Sequence, residues 1–135
     1  MLTGSCVCGG VRFEVTEPLV SAGWCHCTRC QHRTGVNASA AGAVAPGSFR
    51  ITEGDALVTE WIPPGGYVKA FCSLCGGHLY SRAPDGWDRV AVRLGAIDGD
   101  PGIRPQYHQH TDTAAVWQPL PDDGLPRYAQ GRTQT

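Results

Sequence analysis

The stretch YVKAFCSLCGGHLYSR, from Tyr67 to Arg82, carries two kinds of information. Its flanks, YVKAFC and GHLYSR, read as short strands rich in aromatic and apolar side chains. Its centre is a CxxC turn, Cys72 to Cys75, followed by Gly76 and Gly77. Two strands on either side of such a turn make a β-hairpin with a pair of sulfur ligands at its tip.

Similar strand patterns recur on both sides of this hairpin. VRFEV (Val11 to Val15), FRIT (Phe49 to Thr52), LVTEW (Leu57 to Trp61) and RVAVRL (Arg89 to Leu94) alternate apolar and polar residues with a period of two. That period is the one a half-buried strand requires. The 18 glycines and 10 prolines fall between these runs and break the chain into short pieces. Only CTRCQHRT, Cys27 to Thr34, has the character of a helical turn or two. At 135 residues the chain suits one modest core, so the pattern predicts an all-β single domain in which bound metal replaces part of the core. The proline-rich segment VWQPLPDDGLPRYAQG, Val116 to Gly131, is expected to pack Trp117 and Leu120 on the domain surface.

Charge and hydropathy exclude several classes. No apolar run reaches the roughly 18 residues that a membrane span needs. The opening MLTGSCVCGG lacks the charged and apolar regions of a signal peptide, so a cytoplasmic location is the expectation. The net charge is −1 and the arginines are scattered, which argues against a nucleic-acid surface. In a reducing compartment, cysteines at CxC and CxxC spacings mark metal binding or catalysis before disulfides.

All seven cysteines lie in three clusters: Cys6 and Cys8 in CVC, Cys25, Cys27 and Cys30 in CHCTRC, and Cys72 and Cys75 in CSLC. In extended chain, residues i and i+2 face the same way, so a CxC pair presents both sulfurs to one ion. Joining the two-cysteine clusters gives Cys6, Cys8, Cys72 and Cys75, a complete tetrahedral zinc set of the structural kind. Cys25, Cys27 and Cys30 remain as a set of three. A rival partition, Cys27 and Cys30 with Cys72 and Cys75, makes a zinc ribbon but strands Cys25. Gly9 and Gly76, each directly after a cysteine, permit the positive φ of a tight metal knuckle and favour the four-plus-three partition.

Three ligands leave one tetrahedral position for water or substrate, as in catalytic zinc sites. The competing reading is a closed site with a histidine as fourth ligand. His26 points away if Cys25 and Cys27 point together, His32 is a candidate, and His78 or His108 depend on the fold. Three thiolates on Zn²⁺ sum to one negative charge, so bound water is acidified less than on a three-histidine zinc. A soft open zinc is better suited to hold a thiol as its thiolate, and the expected substrate carries sulfur.

GSCVCGGVRFEV, CHCTRCQHRTG, FCSLCGGHLY, and the later Pro105, His108, Trp117 and DGLPRY together resemble the glutathione-dependent formaldehyde-activating enzyme family, related to centromere protein V. The resemblance runs from Gly4 to about Tyr128. It implies a β-tent domain over residues 1–128, followed by a C-terminal tail, 129–135, expected to be flexible. It also implies two zinc ions: a structural one on Cys6, Cys8, Cys72 and Cys75, and a catalytic one on Cys25, Cys27 and Cys30. The implied activity is a carbon–sulfur lyase that adds glutathione to formaldehyde, and this coincides with the thiol chemistry read from the ligand count. Arg29 and Arg33 flank the cluster and are the candidates for the glutathione carboxylates. One position departs from the family: Gly77, where members often carry serine or threonine. The alternatives are a non-catalytic zinc module that presents a binding surface, and a carrier of glutathione or formaldehyde.

Overall fold

The computed structural model describes residues 1–132. Besides three single 3-10 turns, the described residues form ten strands and one short α-helix in the order β1 (Leu2–Ser5), β2 (Arg12–Val15), β3 (Ser21–Cys25), α1 (Thr28–Thr34), β4 (Ser39–Ala43), β5 (Phe49–Glu53), β6 (Val58–Trp61), β7 (Val68–Cys72), β8 (His78–Arg82), β9 (Val90–Arg93) and β10 (His108–Gln109). The all-β class and each of the strands read from alternation are present.

Two sheets share the core. The smaller has the order β1-β2-β5 and the larger β10-β3-β4-β9-β8-β7-β6, antiparallel except at β10, which runs parallel to β3. Alternation decides which side chains go inside. In β2, Phe13 and Val15 are buried while Arg12 is exposed; in β7, Val68, Ala70 and Cys72 are buried while Lys69 and Phe71 are less so. Phe13, Val11 and Val15 of the small sheet meet Leu79, Tyr80 and Val92 of the large one in a single apolar cluster. Glu60 of β6 closes one edge, accepting from Arg82 Nε and Nη2 at 2.7 and 2.8 Å and from the Tyr80 hydroxyl at 3.0 Å. The Arg82 guanidinium holds its carboxyl below the usual range.

Strands β3 and β4 were not visible as strands in the sequence. SAGWC and SAAGA carry small side chains with weak strand preference, and their pairing, Cys25 opposite Ser39 through Ser21 opposite Ala43, is imposed by neighbours. The C-terminal segment differs from its expectation. Trp117 is 63% exposed, and the segment is held instead by backbone pairing around β10, with His108 N–H donating to Pro126 and Tyr128 N–H to His108. Residues 129–132 hydrogen-bond as well: Gln130 accepts from His110 N–H, and Arg132 N–H donates to Gln109 Oε1. The end of the expected tail, 133–135, lies outside the described residues. Among the described residues no helix is long and apolar enough to cross a membrane.

Gly4 of β1 is packed tightly between Phe13 of β2 and the turn after β9. A Cβ there would lie 2.3 Å from the Phe13 ring and 2.4 Å from the Ala96 carbonyl oxygen. Relief would require backbone movement, because the carbonyl is fixed by the Gly4–Ile97 bridge. Gly4→Ala is therefore expected to destabilise the fold by about 2 kcal/mol, the usual scale of overpacking. Denaturant unfolding should show a lower midpoint at unchanged slope; an unchanged midpoint would contradict this packing.

Candidate metal centres and active site

The turn after β1 brings Cys6 and Cys8 to the tip of the β7–β8 hairpin. Sulfurs of Cys6, Cys8, Cys72 and Cys75 all lie within 4.8 Å of one another, with Cys6–Cys8 at 3.6 Å and Cys8–Cys72 at 3.9 Å. A tetrahedron with Zn–S bonds of about 2.3 Å has edges of about 3.8 Å, so this donor set fits such an ion. Gly9 and Gly76 adopt φ of 75° and 74°, as expected of knuckle glycines. Backbone amides point at the sulfurs, Val11 N–H at Cys6 Sγ and Gly10 N–H at Cys8 Sγ. The Cys75 thiol is drawn down to about 6, first by the Cys8 amide and then by that of Gly77. Gly77 packs here, with a Cβ at that position only 3.2 Å from Cys6 Cβ, and does not line the cleft described below.

The second cluster forms where β3 hands over to α1. Cys25 ends the strand, and Cys27 caps the helix, its Sγ accepting from Cys30 N–H at 3.3 Å. Cys30, one turn on, is buried and accepts from Ser39 Oγ at 3.2 Å. The three sulfurs lie within 4.8 Å of one another, and among the described residues no histidine or carboxylate joins them. Three thiols so close cannot all ionise without a cation. Cys27 and Cys30 push Cys25 up, while hydrogen bonding from Cys25 and Cys27 holds Cys30 down, helped by Ser39 and Arg93. The seven cysteines are free thiols in these two groups. The ribbon partition is not the one the fold assembles.

His26 is turned inward, as its place between two same-facing cysteines requires. Its Nε2 lies 2.8 Å from His108 Nδ1, and His108 Nε2 lies 2.8 Å from Asp123 Oδ2, so the two buried histidines lead away from the sulfurs to an exposed carboxylate. Burial, then the neighbouring His108 charge, pushes His26 below its ordinary value. His32 and His78 line a different, largely apolar cavity on the far side of α1, together with Trp61 and Phe71.

A cleft of about 830 Å³ opens beside the three cysteines. Its floor is one face of the large sheet, where Ala41, Ala43 and Ala91 leave space that larger side chains would fill. Tyr107 covers Gly23 so closely that a Cβ would fall 2.2 Å from its ring, and Arg132 stacks on Tyr107 with its guanidinium 4.2 Å from the ring centre. Of the two arginines expected to face the site, Arg29 lines the cleft but donates to the Gly65 carbonyl and lies over Trp61 at 5.6 Å. Arg33 lines the cavity on the far side of α1 instead. Lys69, Ser81, Arg89 and Arg93 line the cleft and were not singled out in the sequence. Their signal was the polar position of each strand's alternation, which marks a side facing away from the core without saying whether that side is solvent or a cleft.

The model of the family described as "Glutathione-dependent formaldehyde-activating enzyme" matches residues 1–113. The chain belongs to the glutathione-dependent formaldehyde-activating enzyme family. Both cysteine clusters fall within the matched residues, and so does the cleft apart from Arg132. A crystal structure of a Rhodobacter sphaeroides protein has a similar fold, with a TM-score of 0.61 and 21% identity over 93% of this chain and 98% of that one. No curated protein matches the sequence.

The two sulfur sets make different demands on the fold. Cys72 is fully buried at the joint between the sheets, whereas Cys25 and Cys27 are half-buried at the cleft. Metal analysis of the purified protein is expected to give two divalent ions per chain. Cys27→Ala should retain one ion and a β-rich circular dichroism spectrum. Cys72→Ala should lose the other ion together with cooperative unfolding, since a closed metal site supplies folding free energy of order 10 kcal/mol. One ion lost equally from both variants would contradict two separate sites.

Proposed function

We propose that the protein is a zinc-dependent carbon–sulfur lyase that adds a thiol, glutathione or a relative, to formaldehyde or another small aldehyde. The observation that carries this reading is the three-sulfur cluster, without a fourth protein donor among the described residues, opening into a cationic cleft. Cys25, Cys27 and Cys30 are the proposed ligands of the catalytic zinc, and Cys6, Cys8, Cys72 and Cys75 those of the structural one. Family membership supports glutathione and formaldehyde as the substrate pair. The proposed catalytic domain spans residues 1–128, and a reducing, cytoplasmic setting suits seven free thiols.

In this proposal the thiol and the aldehyde meet in the cleft. Zinc, if held by Cys25, Cys27 and Cys30, would supply Lewis acidity that lowers the pKa of a thiol in the cleft. The sulfur attacks the carbonyl carbon, a carbon–sulfur bond forms, the carbonyl π bond breaks, and a proton returns to the oxygen. The balance is one thiol and one aldehyde to one hemithioacetal, with no oxidant. Ser39 and the Cys30 amide hydrogen-bond the ligand sulfurs and fix their directions. Tyr107, braced by Arg132, walls the cleft from the β10 side. The buried His26–His108 pair, linked to Asp123 at the surface, anchors the CxC segment from behind.

Thiols add to formaldehyde unaided, so the test is the exchange rate between formaldehyde, glutathione and adduct, measured by NMR above the uncatalysed background. The zinc-loaded protein should raise that rate, and Cys27→Ser should return it to background. A loaded wild-type protein no faster than background would overturn the lyase reading in favour of a carrier or a non-catalytic zinc module.

A further inference from the structure

Two cations on the cleft floor, Lys69 and Arg93, pair with no carboxylate among the described residues. Arg93 of β9 is 9% exposed and donates from Nη2 to Ser81 Oγ at 2.7 Å. Its Nε is a buried donor without a hydrogen-bond partner. Lys69 of β7 reaches the same Ser81 oxygen at 3.4 Å. Among the described residues neither cation takes part in an ion pair. A serine oxygen has two acceptor lone pairs and one proton, so with both lone pairs facing cations the hydroxyl is left as a donor. Two cationic side chains and one hydroxyl donor therefore line one patch of the cleft.

Sheet register places this patch beside the cysteines. Lys69 pairs with Ser81, Ser81 with Ala91, and Arg93 with Ala41 two residues along. Ser39, which holds Cys30 Sγ, is two residues from Ala41 on the adjacent strand. Strand spacings then put the Arg93 and Ser39 α-carbons about 8 Å apart. The sulfur cluster does not neutralise both cations: three thiolates with one divalent ion carry a single negative charge. Arg93 and Lys69 leave a positive charge over. Burying unpaired cations is costly unless an anion completes the site. Arg29, by contrast, already spends a donor on Gly65.

We propose that Lys69, Ser81 and Arg93 form a carboxylate-binding subsite that anchors the substrate beside the three cysteines. The inference rests on the reading of the cleft as the place where thiol and aldehyde meet, and it narrows the substrate class. At least one of the two reactants carries a carboxylate, held by the Arg93 fork, the Ser81 hydroxyl and the Lys69 ammonium. That carboxylate belongs either to the thiol or to an aldehyde that is also an acid.

Calorimetric titration of the full, zinc-loaded chain separates the two sources without turnover. One arm compares glutathione with its diethyl ester; the other compares glycolate, an unreactive stand-in for a two-carbon aldehyde acid, with methyl glycolate. In one arm at least, the carboxylate form is expected to bind about tenfold or more tightly than its ester, the scale of one charge-assisted hydrogen bond. The first arm identifies the thiol as the carrier of the carboxylate, and the second the aldehyde. Lys69→Met and Arg93→Met should each bring the ratio close to one while zinc content and circular dichroism stay unchanged. Should Arg93→Met not fold, Lys69→Met and the wild-type ester comparison still decide. Ratios near one in both arms for the wild type, or ratios retained in the folded variants, would overturn the subsite. Because only binding is read, its failure is distinguishable from a failure of adduct exchange.

Discussion

Four sulfurs gathered at one point join the two sheets, and the remaining architecture depends on that junction. Cys6 and Cys8 leave β1 of the small sheet, while Cys72 and Cys75 belong to the β7–β8 hairpin of the large one. Without them, the contact between the sheets would rest on an apolar cluster whose largest fully buried members are Phe13 and Leu79. A chain this short, with 18 glycines to order, would gain much from an ion held by these four sulfurs, which the unfolded chain does not bring together. The same junction sets the place of β1, and through Gly4 it brings Phe13 under the Ala96 carbonyl.

With the core secured on one side of the large sheet, the other side is free to be hollow. Each floor strand pairs a core-facing residue such as Val92 or Ala70 with a cleft-facing one such as Ala91 or Lys69. Small residues on β3, β4 and β9 keep the volume open, and cationic ones give it a charge. Helix α1 closes the end of this space, started by a sulfur ligand as its cap and stopped by Gly35 at φ 74°. The first turn of the helix therefore serves both as a secondary-structure boundary and as the scaffold of the three-sulfur cluster.

The C-terminal segment matters through one histidine. His108 accepts β10 pairing from both neighbours and links buried His26 to Asp123. His26 is thereby held in the interior, and strand geometry then sends Cys25 and Cys27 to the opposite side. A segment distant in sequence thus orients the two cysteines of the CxC step.

Much of this was legible before any coordinates. Alternation identified β2, β5, β6, β9 and the CxxC hairpin, because a side-chain period of two survives in any one-sided strand. Cysteine spacing and the flanking glycines separated four sulfurs from three, since chelation and positive φ are local matters. The place of His26 followed from its neighbours for the same reason. The strands of small residues, β3 and β4, were not legible, because alanine and glycine carry no periodic contrast. Nor were the cleft cations: Lys69 and Arg93 are separated by β8 and meet only through Ser81. The sequence by itself determined the all-β class and the four-plus-three grouping of the cysteines, which depend on residue type and short spacing. Tertiary structure alone decided that Arg29 faces the cleft, that Arg33 does not, and that Lys69, Ser81 and Arg93 share its floor, because strand order places residues that no local rule relates.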